Sequence, residues 1–280
     1  MQLEITLNAV EESLMGFDYQ YEFHSMLMQK LSTTQPELAA DLHDGKHRNR
    51  IKLFVFSPLN SLPNPKLVQV ENESRKRMLL GEKIWFRLAS PVPEFINNLA
   101  EALLTAGTFG IGTKQFKVRN ISMIAPPEMR ETMVWRPFGQ AGSICTAWTA
   151  PVAEKKLFRY PDYQGENDNP GCAELLTRNL YHKFQRLQEI RPDIAQAWLA
   201  TAGLKELSPS LAPIKVEFLP LAAGRAYRTM LHRGKNDVIK SWRCPVQVTA
   251  PIPVQRLIWA AGLGVLGSQG YGLCQEGKSC

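Results

Sequence analysis

The sequence has 280 residues, of which 44% are hydrophobic and 21% charged, so it can bury the core of one large domain or of two smaller ones. Its 33 Lys and Arg residues outnumber its 26 Asp and Glu residues, and the formal net charge of +7 favours a polyanionic partner. The five widely spaced cysteines form no C-x-x-C pair, which argues against both a zinc site and a disulfide framework. We therefore expect a globular protein of a reducing, cytoplasmic compartment that needs no metal or other cofactor.

The first half of the chain predicts the ferredoxin-like order β-α-β-β-α-β, which we expect to end near residue 125. Alternating apolar residues and β-branched or aromatic runs predict its strands, and apolar residues at helical spacing predict its helices. The predicted elements are strands at 3–7, 51–57, 82–88 and 116–122, and helices at 19–31 and 95–105.

The second half repeats this order more loosely, which suggests an internal duplication. The hairpin in this half surrounds the polar turn 232–237. The predicted elements are a strand at 143–148, a helix at 171–189, a strand at 214–218, a hairpin over 227–248, a helix at 253–261 and a final strand at 270–275.

Five glycines lie between the end of the last predicted helix and the first residues of the last predicted strand. They are Gly262, Gly264, Gly267, Gly270 and Gly272. Glycine at this density indicates positive φ angles or close backbone contacts, and a loop of exposed N–H groups can cradle phosphates. The first three also fit a dinucleotide-binding G-x-G-x-x-G, but only thirteen residues follow them, too few for the βαβ unit that this motif requires. The open alternatives are a phosphate-binding loop and a tight turn whose glycines serve packing alone.

Three stretches together resemble the CRISPR-associated endoribonucleases that cut repeat RNA, the Cas6 family of the RAMP superfamily. They are the opening Leu-Glu-Ile-Thr-Leu, the block Leu42-His43-Asp44 with Lys52-Leu53-Phe54-Val55-Phe56-Ser57, and the C-terminal glycines with Tyr271. The resemblance implies an α+β fold of two tandem ferredoxin-like, RRM-like domains. Residues 1–125 would carry the catalytic residues, and residues 126–280 would carry a glycine-rich, RNA-binding loop.

That family cleaves RNA without metal, using a histidine after the first helical region, a lysine that begins the next strand and often a tyrosine within the helix. The match assigns the histidine to His43 and the lysine to Lys52, whereas the tyrosine position falls on Met28, which has no proton to transfer. His24 lies four residues earlier on the same helical face, so we hypothesise that it supplies the second proton-transfer group, with His47 as its rival. The alternatives are a polar loop histidine at 43, a solvent-facing lysine at 52 and an ordinary surface histidine at 24.

The implied reaction is attack of a 2′-OH on the neighbouring phosphate, which leaves a 2′,3′-cyclic phosphate or 3′-phosphate and a 5′-OH. Histidine titrates near neutral pH and therefore suits the acid or base role of His43. The ammonium of Lys52 can stabilise the charge that develops on the phosphate.

Basic residues on the predicted hairpin are either a solvated face or contacts to the RNA backbone, and we assign them to RNA binding together with the five glycines. They are Arg225, Arg228, Arg233, Lys235, Lys240 and Arg243. The expected partner is CRISPR repeat RNA in precursor crRNA, with effector-complex subunits and a second copy of the chain as further candidates, and no membrane. The alternative function is a non-catalytic RAMP-type subunit that holds crRNA in an effector complex.

Overall fold

The computed structural model describes residues 1–34, 36, 51–71, 73, 76–149, 156–162, 164–166, 169–210, 212–220, 227–231 and 238–277. Within these ranges, no helix combines the length and the apolar character needed to cross a membrane. Two antiparallel sheets, each with helices on one face, make up the bulk of the fold. The mixed α+β class with two ferredoxin-like sheets is therefore confirmed, whereas the boundary near residue 125 stays a prediction.

The elements up to residue 125 are β1 (Gln2–Ala9), β2 (Leu14–Met15), α1 (Tyr19–Thr34), β3 (Val55–Phe56), β4 (Asn60–Leu62), β5 (Lys66–Val68), β6 (Arg77–Leu79), β7 (Lys83–Ala89), α2 (Pro93–Thr105), β8 (Thr108–Ile111) and β9 (Lys114–Ile124). The main sheet has the strand order β3-β7-β1-β9-β8, and β4 also pairs with β7. Its central strands β9-β1-β7-β3 follow the ferredoxin-like arrangement that the sequence predicts. Along β7, the side chains of Ile84, Phe86 and Leu88 join the core with α1 and α2, so the alternate residues face away from the helices.

The elements after residue 125 are β10 (Thr132–Pro137), β11 (Ala147–Thr149), β12 (Lys156–Phe158), β13 (Gly165–Glu166), β14 (Asn169–Pro170), α3 (Cys172–Ile190), α4 (Pro192–Ala200), β15 (Lys215–Phe218), β16 (Tyr227–Leu231), β17 (Val238–Trp242), β18 (Val246–Thr249), α5 (Ile252–Ala261), a 3₁₀ turn (Gly267–Gln269) and β19 (Cys274–Glu276). The second sheet has the order β15-β18-β10-β19. Its helices α3 and α5 pack together with Trp135 of β10 and Val248 of β18 in a second core.

The first strand of the second sheet is β10, and the prediction that placed this strand at 143–148 is wrong. Met133, Val134 and Trp135 are buried in succession, so β10 lacks the period-two pattern that marks a half-buried strand. Ile144 and Cys145 instead form isolated bridges to Trp242 and Val265. The predicted hairpin is confirmed as β16 and β17, but β18 pairs with β10 and β15 in the sheet.

The segment at residues 51–56 lies between the two cores. Leu53 is buried in the second core, whereas its neighbour Phe54 and also Phe56 are buried in the first core. Val55 joins a small cluster with residues of both halves. Ser90 holds this segment by donating a hydrogen bond from its hydroxyl to the carbonyl of Leu53, with an O···O distance of 2.6 Å. Successive side chains of this segment therefore tie the two halves together.

Candidate functional site

Helix α1 packs one face against the segment 51–56. The ring of Phe23 meets the ring of Phe56 edge to face, with 4.8 Å between their centroids. The half-buried ring of His24 lies parallel to that of Phe54, with 6.3 Å between centroids and an interplanar angle of 8°. His24 therefore lies against the segment 51–56, whose strand β3 covers only Val55–Phe56 and not the predicted 51–57, and it is not an ordinary solvent-exposed side chain.

Lys52 is half-buried, and burial lowers the pKa of its ammonium from the ordinary lysine value. Its backbone is fixed because the next two side chains are buried in different cores. Met28, the position that the family resemblance assigns to tyrosine, is 5% exposed and belongs to the first core. His43 and His47 lie outside the described residues.

The glycine segment, residues 262–272, connects α5 to β19 and is anchored at both ends by backbone hydrogen bonds. The N–H of Leu263 donates to the carbonyl of Gly272 at 2.9 Å, and the N–H of Gly272 donates to the carbonyl of Ser143 at 2.8 Å. Gly264 has a φ of +73°, and a Cβ there would overlap the carbonyl oxygen of Cys145. At its two ends, the segment uses glycine for close backbone packing.

The middle of the segment is different. Leu266 has a φ of 61°, a left-handed conformation that costs a non-glycine residue roughly 1–2 kcal/mol. The N–H groups of Leu266, Gly267 and Ser268 donate to no backbone carbonyl among the described residues, and these residues are half-buried. The N–H groups of Leu263, Val265 and Gly272 donate to backbone carbonyls, so the predicted loop of exposed N–H groups can offer an anion the successive donors of its middle but not those at its ends.

The glycine segment touches the first half of the molecule next to the candidate catalytic groups. A Cβ on Gly267 would lie 3.0 Å from the carbonyl oxygen of Phe54, and a Cβ on Gly270 would lie 2.7 Å from Nε2 of Gln20 in α1. The structure thus brings α1 with His24, the strand that follows Lys52 and the middle of the glycine segment together.

Lys183 is a buried residue of α3 that the sequence analysis missed. It is 3% exposed, and its Nζ donates to the carbonyls of Ala261 at 2.9 Å and Gly262 at 2.7 Å, where α5 ends and the glycine segment begins. Burial lowers its pKa to about 7. The signal in the sequence is a lysine at helical spacing within the apolar stripe of α3, between Leu180 and Leu187.

The hairpin of β16 and β17 lies beside the glycine segment. Trp242 bridges to Ile144, and the next residue along, Cys145, bridges to Val265 within the segment. Lys240 and Arg243 are exposed, and the Nζ of Lys240 lies 5.6 Å from the ring centroid of Tyr160. Arg228 lies in β16, opposite Ser241. Arg225, Arg233 and Lys235 lie outside the described ranges.

A cleft of about 710 Å³ opens on the helix-free side of the first sheet and is lined by both halves of the molecule. Its basic and aromatic lining residues are Lys83, Trp85, Arg87, Arg136, Phe138 and Arg243. The guanidinium of Arg87 lies 4.0 Å from the ring centroid of Phe138, and its Nε donates to Glu4 at 3.0 Å. Of these six, the sequence analysis named Arg243 alone. The signal for three others is the alternation of Lys83, Trp85 and Arg87 with buried residues along β7, which places their side chains on the face of the sheet away from the helices.

Known proteins share this architecture. Over 135 residues the chain is 27% identical to a CRISPR-associated endoribonuclease Cas6 1 of Methanocaldococcus jannaschii; the match covers 46% of this chain and 47% of that protein, so the chain spans about half of that curated relative. A solved RAMP protein that binds different RNA substrates superposes with a TM-score of 0.71 at 18% identity, over 99% of this chain and 100% of that one. A Cas6-related protein from Pyrococcus furiosus also gives a TM-score of 0.71, at 15% identity, over 100% of this chain and 99% of that one.

Two family models match the chain in succession. The model of the N-terminal part of CRISPR-associated protein Cas6 matches residues 14–122. The model of the C-terminal part of Cas6 matches residues 141–276. Together they account for most of the sequence, and both sheets lie largely within the matched ranges. The chain therefore belongs to the Cas6 family of CRISPR-associated proteins.

Proposed function

We propose that this protein is a metal-independent endoribonuclease that binds CRISPR repeat RNA and cuts precursor crRNA into guide units for antiviral defence. The observation that carries the proposal is the meeting of three features at one place: α1 with His24, the strand that follows Lys52, and the N–H groups of Leu266, Gly267 and Ser268. Proton-transfer groups and anion-binding donors must lie together for phosphate chemistry. The archaeal relative named as an endoribonuclease supports the same class of reaction.

In the proposed reaction, the 2′-OH next to the scissile phosphate attacks that phosphate, and the 5′-oxygen of the next nucleotide leaves. His43, assigned from the family motif, and His24 share the two proton transfers, from the 2′-OH and to the leaving oxygen. The ammonium of Lys52 stabilises the extra negative charge on the phosphorane. The products are a 2′,3′-cyclic phosphate, or the 3′-phosphate that its hydrolysis gives, and a 5′-OH.

The RNA backbone would contact positive charge at two places, the cleft and the surface next to the glycine segment. Phosphate contacts supply affinity without reading sequence, and Lys83, Arg136 and Arg243 in the cleft offer them. Trp85 lies in the same cleft and offers a ring on which an unpaired base can stack. The exposed Lys240, next to the glycine segment, extends the positive surface toward the proposed cleavage site.

The test is incubation of the purified protein with end-labelled repeat RNA of its own locus in EDTA. Wild-type protein should cut once and leave a cyclic phosphate, and a 2′-deoxy nucleotide at the cut should prevent the reaction. His43→Ala should still bind the RNA but lose the cut. His182→Ala is the matched control, because His182 is an exposed histidine on α3 and should cut at the wild-type rate.

Tight RNA binding by the wild type without any cut would overturn the nuclease proposal and favour a crRNA-binding subunit of an effector complex. Cleavage that requires a divalent cation would overturn the proposed mechanism while leaving the substrate class intact. Equal loss of cleavage in His43→Ala and His182→Ala would remove His43 from its assigned role.

A further inference from the structure

Two buried glutamines in the first half of the molecule donate hydrogen bonds to backbone carbonyls of the second half. Gln20, in the first turn of α1, is 4% exposed, and its Nε2 donates to the carbonyl of Gly270 at 3.4 Å. Gln2, in β1, is fully buried, and its Nε2 donates to the carbonyl of Trp259 in α5 at 2.7 Å. Only the first of these bonds reaches the glycine segment.

The side chain of Gln20 and the backbone of Gly270 fit closely. Gly270 has a φ of +86°, and the space that a Cβ would need is taken by Nε2 of Gln20 and by the ring of Phe56, whose nearest atom would be 3.1 Å away. The bond from Gln20 is a side-chain hydrogen bond that runs directly from α1 to the glycine segment. Moving either partner would therefore change the spacing between them.

Stability alone gives a poor account of Gln20. Its Oε1 is buried and accepts a hydrogen bond from no described residue, and a buried acceptor without a donor destabilises the fold. The Oε1 of Gln2 is in the same condition. At position 20, a methionine of similar length would remove a weak bond and an unsatisfied oxygen together, so the net effect on stability should be small. At position 2 it would remove a shorter bond of 2.7 Å, so Gln2→Met is the more demanding control for stability.

We infer that Gln20 is a positioning residue that sets the distance between the glycine segment and the proton-transfer groups of the nuclease site. Gln20 and His24 are four residues apart and share one face of α1, and His24 lies against the ring of Phe54. Gln20 thus fixes the position of the glycine segment, which is proposed to bind the scissile phosphate, relative to α1 and therefore relative to His24. This inference rests on the proposed nuclease function.

The experiment compares Gln20→Met with Gln2→Met in the full-length protein, with two readouts. The first is the single-turnover cleavage rate of saturating repeat RNA together with its equilibrium affinity. The second is hydrogen exchange of the backbone amides at 270–272, which needs no cleavage. Gln20→Met should slow cleavage about 10- to 100-fold, as expected for a misplacement near 1 Å, while RNA affinity holds and the amides exchange faster.

Gln2→Met should leave the cleavage rate and the exchange at 270–272 as in the wild type. Gln20→Asn, which keeps the amide but withdraws it from Gly270, should behave like Gln20→Met and covers the case in which the methionine variant folds poorly. Wild-type cleavage by Gln20→Met, or equal losses in Gln20→Met and Gln2→Met, would overturn the inference. If the wild-type protein cuts no RNA, the proposed function fails, but the exchange rates still decide whether Gln20 holds the segment. Faster exchange at 270–272 in Gln20→Met than in the wild type supports the inference, and unchanged exchange overturns it.

Discussion

At the residue scale, Lys183 shows how a charged side chain of one helix can satisfy the last carbonyls of another. The last carbonyls of a helix have no partner within it and carry partial negative charge, so an ammonium placed against them is stabilised. Lys183 reaches from α3 to the carbonyls of Ala261 and Gly262, at the point where the positive φ of Gly262 ends α5 and the glycine segment begins. Burial opposes the charge and is the larger effect, because the pKa falls to about 7.

Lys183 should make the stability of the protein depend on pH. Its pKa falls from 10.5 in the unfolded chain to about 7 in the folded protein, so between these values the unfolded state holds more protons. The contribution of this residue to the free energy of unfolding is therefore lowest below pH 7 and rises with pH, by at most ~1.4 kcal/mol per pH unit. Urea unfolding of wild type and Lys183→Met from pH 6 to 10 measures this contribution. The free energy of unfolding of the wild type should rise relative to that of Lys183→Met as the pH rises, and a difference that is the same at every pH would contradict the lowered pKa of Lys183.

Lys52 should set an alkaline limit on cleavage. Burial lowers the pKa of its ammonium, so the charge is lost at a lower pH than for an exposed lysine. Arginine stays charged across this range, so Lys52→Arg should keep its cleavage rate at pH values where the wild type declines. Lys52→Ala should be slower by about 10²–10³ at pH values where the wild-type ammonium is charged, as for loss of a charge-stabilising donor, and the difference should shrink as the wild type declines. Single-turnover rates from pH 7 to 10 check this, and an identical decline in wild type and Lys52→Arg would exclude the role.

At the element scale, a periodic burial pattern made β1 and α1 predictable from the sequence, whereas the strand β10, which is covered on both faces, was not predicted. Strand β1 alternates between core and surface, and α1 presents an apolar stripe, so both were found. Strand β10 was missed because Met133, Val134 and Trp135 are all buried. The glycine segment was found by composition, but its anchoring at both ends depends on partners such as Ser143 that are distant in sequence.

Two glycines with similar φ angles should respond differently to alanine. Gly203, which follows α4, has a φ of +65° and nothing within 4 Å of the position of a Cβ, so Gly203→Ala should cost roughly 1–2 kcal/mol of backbone strain. Gly264 has the same strain plus an overlap with the backbone carbonyl of Cys145, which cannot move without breaking the bridge to Val265. Gly264→Ala should therefore be the more destabilising of the two in urea unfolding. Equal losses would show that the close approach is easily relieved.

At the scale of the whole molecule, the cleft combines residues that are up to 271 positions apart, from Glu4 to Gln275, and no local pattern could have grouped them. Its shape depends on Gln140, whose side chain pairs with the backbone of Ser61 in both directions, at 3.2 Å and 2.8 Å. The side-chain amide of Gln140 thus pairs with β4 as a neighbouring strand would. It holds the residues of the second half that line the cleft against the first sheet. The family motif gave the candidates His43 and Lys52, whereas the cleft required the assembled fold.

If RNA binds in this cleft, its affinity should depend on salt concentration through contacts between phosphates and the basic residues of the cleft. For single-stranded RNA, the slope of log affinity against log salt is about −0.7 per phosphate contact, so Arg136→Gln should make the slope less steep by about 0.7. Arg178→Gln is the matched control, since it removes the same charge from an ion pair with Glu174 on the exposed side of α3. Filter binding of a non-cleavable repeat RNA at several salt concentrations measures both, and equal slopes in the two variants would exclude Arg136 from the RNA path.

The position of Leu53 also bears on how the protein can be divided. Leu53 completes the core formed by α3 and α5, although more than seventy residues separate it from β10. A fragment that starts after residue 125 would lack this leucine and contain a cavity in its place, and the complementary fragment would expose the same leucine to water. The exposed leucine of one fragment would therefore fit the cavity of the other. Mixing the two fragments should restore a folded complex, whereas neither fragment should fold stably by itself.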